Sequence, residues 1–335
     1  MFKSRRFHRD VDGILLFDKP LGLSSNAALQ QVRALFSARK AGHAGSLDPL
    51  ASGLLPLCFG QATKVCGRLL NSGKTYRVRV ALGARTESGD GETPIVERAA
   101  VPALTPEAVD AVLARFTGEQ QQIPPMHSAL KHAGERLYEL ARRGESVERQ
   151  ARTIVIHRIQ RIGLTPDALE FDVYCSKGTY IRSLAADIAQ ALGTLGYVEG
   201  LRRLSLDPFD GLRMHSLSEL EALTPQARDA VLLGADSAFQ DLPQVELDRA
   251  GEYQLLQGQG ILVPGAPVAD EMRAYGPGGR FLGLVSGAAG GRIRPGRLFV
   301  GTSAPPPRGR GRTGGHAAGP RKRGADSRGR PVRGP

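Results

Sequence analysis

Residues 40–53, KAGHAGSLDPLASG, set a single carboxylate, Asp48, inside a Gly-rich turn with His43 shortly before it. An acid held by so short a loop suits a chemical task, yet an Asp before a Pro also starts an ordinary turn through a local side-chain hydrogen bond. The stretch alone leaves both readings open. Its flanks supply a setting. Upstream, residues 13–17 form a short apolar run that breaks at Asp18, Lys19 and Pro20, as a strand entering a turn does. Ser25 or Asn26 then caps a helix in which Leu29, Val32, Leu35 and Phe36 recur at helical spacing. Asp48 is therefore expected on a loop that follows a helix.

Downstream, residues 62–70 read as another helix, and TYRVRVAL, 75–82, alternates polar and apolar positions with Tyr76, Val78 and Val80 on one face of a strand. The Gly-, Asp-, Thr- and Glu-rich segment 84–97 reads as an exposed loop. Thr105 caps a helix over 106–116, residues 153–164 and 169–175 are strands, and 180–192 is a helix with Ala and Leu inward. This mixture predicts an α+β fold without giving its topology. A composition break near Leu242 and Pro243 separates a unit of residues 1–242 from a small β-rich unit, 243–302, whose short strands alternate with Gly and Pro. Residues 303–335, rich in Arg, Gly and Pro, cannot bury apolar surface and are expected to be disordered.

The chain has 335 residues, 41% of them hydrophobic, which is enough for a sizeable core. Its formal net charge is +12, of which residues 308–333 supply +8 from nine basic residues and Asp326, leaving +4 elsewhere. A mildly basic body permits a polyanion partner without proving one. Cys58, Cys66 and Cys175 follow no zinc-ligand spacing and read as reduced thiols. With no apolar run near the roughly 18 residues of a membrane span, the expected setting is cytoplasmic.

Separated blocks that occur in order carry a resemblance. VDGILLFDKPLGLSSN and LLPLCFGQATKV flank the Asp48 stretch, GKTYRVRVALG follows, and CSKGTYIRSLAADIAQALG and GLRRLSLDPF come later. Together they resemble the bacterial TruB family, the tRNA pseudouridine-55 synthases, from Gly13 to Phe209, with a weaker continuation to Gly301. Ala44 and Ser46 stand where other members often carry Thr and Ala.

The resemblance implies the pseudouridine synthase fold, a central mixed, largely antiparallel sheet with a cleft across it, followed by a PUA-like RNA-binding module. It implies isomerisation of uridine to pseudouridine in the T stem-loop of tRNA, by a monomer, on a base flipped out of the loop. Asp48 falls on the family's nucleophile, Tyr76 on its active-site tyrosine and Arg182 on the arginine that pairs with the nucleophile. An adjacent guanidinium favours an ionised carboxylate, which fits that use. The resemblance places His43 and Lys64 beside the substrate, Lys19 and Pro20 at the cleft, and Tyr180 in the same block as Arg182. His127 lies in an RNA-contacting block, where a tyrosine is common. Arg202 and Arg203 suit bidentate phosphate contacts. No metal and no organic cofactor is implied, since the bonds rearrange within one nucleotide. A nuclease would want clustered acids for metal ions, and the Asp48 motif contains no second acid. An RNA binder without turnover would need no paired acid.

Overall fold

The protein is seen in a computed structural model that describes residues 8–299 apart from 129 and 133, so the expected disorder of 303–335 lies outside the described residues. In chain order, β1 (Gly13–Lys19), α1 (Ser25–Leu35), β2 (Ala41–His43) and β3 (Ala51–Phe59) precede α2 (Cys66–Asn71) and β4 (Lys74–Leu82). A short ribbon, β5 (Ala84–Thr86) and β6 (Ile95–Arg98), leads to α3 (Pro106–Arg115) and β7 (Gly118–Gln122). Then come β8 (Lys131–His132), β9 (Glu135–Arg136), α4 (Leu137–Arg142), β10 (Arg152–Thr165), β11 (Ala168–Cys175), α5 (Ile181–Ala191) and β12 (Gly196–Leu206).

The central sheet runs β1-β3-β12-β4-β11-β10-β7, with β2 added beside β3. Only the β3–β12 pairing is parallel; the other pairings in this sheet are antiparallel. The expected mixed, largely antiparallel sheet is therefore present. One edge of β3 has two partners. Its first residues, Ala51 to Gly53, pair with Leu201 to Arg203 of β12, and its last, Leu57 to Phe59, pair with β2. The chain between β2 and β3 is left to form a loop where the partner changes.

Alternation along β4 and β11 sends Tyr76, Val78, Val80, Phe171 and Val173 into the main core, where α5 contributes Leu184, Ala185 and Ile188. Strand β3 instead reads as a continuous apolar run because both of its faces are covered. Leu55, Leu57 and Phe59 enter the main core, while Leu54 and Cys58 enter a second cluster with Ile14, Leu16 and Phe209. Beyond β12 lie α6 (Leu217–Ala222), α7 (Pro225–Asp229), β13 (Gln244–Glu246), α8 (Arg249–Leu256), β14 (Ile261–Leu262), β15 (Ala269–Gly276), β16 (Arg280–Ala288) and β17 (Arg292–Leu298). The last five strands form a separate sheet, β13-β15-β16-β17-β14, over its own core of Val245, Leu255, Met272, Val285 and Ile293. Leu284 and Phe299 extend from that sheet into the second cluster of the body, so the two units share an apolar layer. Among the described residues no helix is long and apolar enough to cross a membrane.

Three local expectations need correction. Ser24, not Ser25 or Asn26, caps α1, its hydroxyl accepting from the Ala27 amide at 3.1 Å. Residues 60–65 form a 3₁₀ turn before α2 rather than one helix. The segment 84–97 is not a wholly exposed loop, since Thr86, Ser88 and Asp90 are buried. Its polar composition masks this because Thr86 and Ser88 turn inward and donate to the Asp90 carbonyl and carboxylate.

Candidate active site

The loop after His43 is pinned at several points and leaves the Asp48 side chain accessible. The Ala44 amide donates to Pro56 O at 3.0 Å, continuing the β2 ladder by one residue. Gly45 takes φ +86°, a left-handed conformation open to glycine, and its carbonyl accepts from Arg203 Nη2 at 2.9 Å. Ser25, freed from capping, faces inward: its Oγ donates to Leu47 O at 3.0 Å and accepts from Leu47 N at 2.7 Å. Pro49 O accepts from the Gly22 amide at 2.8 Å. Asp48 sits between these anchors with its side chain 48% exposed.

Behind it stands Arg182, near the start of α5 and only 9% exposed in its side chain. Its Nη2 lies 3.3 Å from Asp48 Oδ2, and its Nη1 lies 3.3 Å from Asp90 Oδ2. Two carbonyls complete its surroundings, Ser88 O at 2.9 Å from Nη1 and His127 O at 2.5 Å from Nη2. A buried guanidinium needs such counter-charge and acceptors, or the desolvation cost is uncompensated. Asp90 is in turn fixed, its Oδ1 accepting from Ser88 Oγ at 2.5 Å and from the Glu92 amide at 3.0 Å. Burial, with repulsion from Asp90 and Asp48, pushes the Glu92 carboxyl upward. The Arg182 guanidinium is thus shared between a buried carboxylate and an accessible one.

The surrounding floor is cationic and dry. Tyr76 is buried on β4, and burial pushes its phenol up despite the Arg203 guanidinium, whose centre is 6.0 Å from the ring centroid. Lys19 is fully buried and donates to Leu23 O at 2.6 Å and Pro20 O at 2.9 Å. Desolvation brings its ammonium down to about 8, partly opposed by the Asp48 charge. Lys74 is lowered to about 8 as well, again chiefly by burial, with Arg203 adding repulsion. His43 is half-buried, its pKa lowered by burial and by Arg203, so the imidazole is neutral at pH 7. Among the described residues no group of three or more His, Cys, Asp and Glu side chains is arranged to hold a metal ion.

The structure brings together Asp48, Tyr76, Arg182, His43 and Lys19, and Pro20 lies exposed at the turn after β1. Tyr180 precedes α5, its backbone held at both ends by the Gln122 side chain. His127 reaches the site through its carbonyl; its ring Nε2 is buried with no hydrogen-bond partner among the described residues. Lys64 is turned elsewhere, its Nζ donating to Leu298 O at 2.8 Å beside the Phe299 ring. Arg203 departs from the expected phosphate contact because it is fully buried, bonded to Leu54 O and Gly45 O. Arg202, partly exposed, already makes a bidentate pair with Asp18 at 3.0 and 2.7 Å. From β12 it reaches past the intervening β3 to that β1 carboxylate, with its side chain still 40% exposed.

Asp90, Glu92 and Ser25 were not singled out from the sequence. For Asp90 the available signal was a lone run of small polar residues, TESGDGE, which also describes a surface loop. Ser25 was visible only as a rival cap.

Sequence profiles match this chain over most of its described length. One for the TruB family pseudouridylate synthase N-terminal domain covers residues 33–181. A tRNA pseudouridylate synthase B C-terminal profile covers 182–240, and a pseudouridine synthase II TruB C-terminal profile covers 243–299. The chain is 47% identical over 297 residues to the tRNA pseudouridine synthase B of Chromohalobacter salexigens, spanning 88% of this chain and 96% of that protein. It is 47% identical to that of Ectopseudomonas mendocina over 89% of this chain and 99% of the relative. A crystal structure of a Cbf5–Nop10–Gar1 complex superposes with a TM-score of 0.64 at 22% identity, covering 86% of this chain and 85% of the other, which shows a common fold. With relatives this similar along almost their whole length, the chain belongs to the TruB family of pseudouridylate synthases.

Proposed function

We propose that this pseudouridine synthase isomerises the uridine at position 55 in the T loop of tRNA, acting as a monomer with Asp48 as the nucleophile. The observation that carries the reading is the accessible Asp48 carboxylate held 3.3 Å from a buried Arg182 whose other terminal nitrogen faces Asp90. A carboxylate so placed is reachable from solvent and aimed by the guanidinium, as covalent catalysis requires.

In this reading the target uridine leaves its stack and enters the cleft, where Tyr76 packs against the base in place of its lost neighbours. Asp48 adds to the nucleoside, the N1–C1′ bond breaks, and the base rotates. C5 then joins C1′, the C5 proton is lost, N1 gains a proton, and Asp48 is released. Every bond change lies within one nucleotide and the enzyme's carboxylate, so the reaction draws on no external group donor or redox partner. The dry floor beneath Tyr76 strengthens each electrostatic contact. His43, neutral and beside the loop, offers a ring to the opened RNA without adding charge.

Incubating the full chain with an unmodified tRNA transcript, then mapping pseudouridine along the T arm, tests substrate and chemistry together. One modified position in the T loop is expected. Asp48→Asn should give none while retaining tRNA affinity within about tenfold, because the nucleophile is lost and the side-chain size is kept. Modification elsewhere, or substantial turnover by Asp48→Asn, overturns the reading.

A further inference from the structure

We propose that Cys58 and Cys66 form an oxidisable dithiol, which a peroxide closes to a disulfide across the strand that ends in His43. Cys58 is fully buried in β3 and is the register partner of Gly42 in β2. Cys66 opens α2 and is partly exposed. Because residue 42 has no side chain, Cys66 reaches over it: a Cβ built on Gly42 would lie 3.7 Å from Cys66 Sγ. Cross-strand partners place their Cβ positions about 4.5–5.5 Å apart, so Cys58 from β3 and Cys66 from the start of α2 flank the same glycine. Both also pack in the second apolar cluster, which puts them on the same side of the ribbon.

The two thiols are chemically unequal. Cys58 donates a hydrogen bond to Cys66, and this bond, with burial, holds the Cys58 thiol well above its ordinary value. The same bond lowers Cys66, helped by its own backbone amide and by Lys40, against the opposing effect of partial burial. Cys66 is therefore the attacking thiolate and Cys58 the resolving thiol.

The chemistry closes without further partners. The Cys66 thiolate attacks one oxygen of hydrogen peroxide, the O–O bond breaks, and the departing oxygen leaves as water after protonation, giving a sulfenic acid on Cys66. Cys58 sulfur attacks the Cys66 sulfur, the S–O bond breaks, and a second water leaves, so two thiols are oxidised as one peroxide is reduced. An external dithiol reverses the step by exchange. Cys175 is the internal control, since burial raises its thiol to about 11 and it lies in β11 beside Lys74 O.

The test uses the folded full chain, treated with stoichiometric hydrogen peroxide, alkylated with N-ethylmaleimide and digested without reductant for mass spectrometry. The expected result is a peptide joining Cys58 to Cys66, lost on adding dithiothreitol, with Cys175 still a thiol. Cys58→Ser should leave a sulfenic acid at Cys66 that dimedone traps, and Cys66→Ser should abolish both products. Circular dichroism on each variant establishes that it is folded. An unmodified Cys66, linkage to Cys175, or disulfides only between molecules would overturn the proposal. The readout is a covalent bond, so its failure is distinct from failure of the proposed reaction on tRNA.

Discussion

Arg182 Nη1 lies 3.3 Å from Oδ2 of Asp90, a buried carboxylate, while its Nη2 faces Asp48. Asp90 should therefore act through the arginine. Asp90→Asn is expected to slow single-turnover pseudouridine formation by at least ~10-fold while leaving RNA affinity within about tenfold. Arg182→Ala should slow it further, and saturating RNA should not restore the rate. The double variant should be no slower than Arg182→Ala alone, because the two residues form one unit. Additive losses would show that Asp90 works by some other route.

Lys19 makes the stability of the protein depend on alkaline pH. Its folded pKa is about 8 against an ordinary 10.5, so between those values the unfolded chain binds more protons than the folded one. Stability therefore gains from this group as pH rises from about 8 toward 10.5, and its buried charge costs most below 8. Urea unfolding of wild type and Lys19→Met across this window should show the wild type gaining on the variant as pH rises. Parallel curves would mean that Lys19 does not titrate in the fold.

Gly53 lies where β3 and β12 run closest. Its φ is +97°, and an added Cβ would sit 2.2 Å from Arg203 O and 2.9 Å from Arg203 N. Neither neighbour is a flexible side-chain end, so the backbone itself would have to move. Gly53→Ala is expected to cost about 2 kcal/mol or more, from strain together with the forced separation of the strands. A urea midpoint equal to that of wild type would contradict this.

The charge of residues 303–335 gives an expectation for binding alone. Deleting them removes +8 and leaves Asp48, Tyr76 and Arg182 in the chain. Affinity for tRNA should fall at low salt and depend less steeply on salt, since fewer counterions are released. The single-turnover rate at saturating RNA should stay within about threefold. An unchanged salt slope would show that the tail does not touch RNA.

The parts of this protein legible from sequence were those with strong local rules. Tyr76, Val78 and Val80 announced their strand face by alternation, and α3 announced its start by Thr105 and Pro106. Asp48 and Arg182 were identified through motif resemblance, and the fold places them 3.3 Å apart. What stayed hidden depended on distant contacts. Nothing local distinguishes an Arg203 bonded to Leu54 O and Gly45 O from an exposed one, because its burial comes from the β3–β12 crossing. Lys64 was hidden for the same reason, since its acceptor, Leu298 O, comes from the far end of the chain. Asp90 looked like surface text because its burial rests on Ser88, Glu92 and Arg182 together.

The exchange of partners along one edge of β3 bears on how this loop can vary. Residue 43 is locked to Leu57 of β3 and residue 51, where β3 begins, to Leu201 of β12, so both ends of the Asp48 segment are held at fixed register. An added or deleted residue cannot be absorbed by sliding, since a one-residue slip would reverse the facing of a strand that is buried on both sides. Side chains such as those of Ala44 and Ser46 can be exchanged, but the count of residues cannot. Indels between 43 and 51 should therefore be far less tolerated than substitutions, and libraries built on this scaffold would do best to hold that length constant.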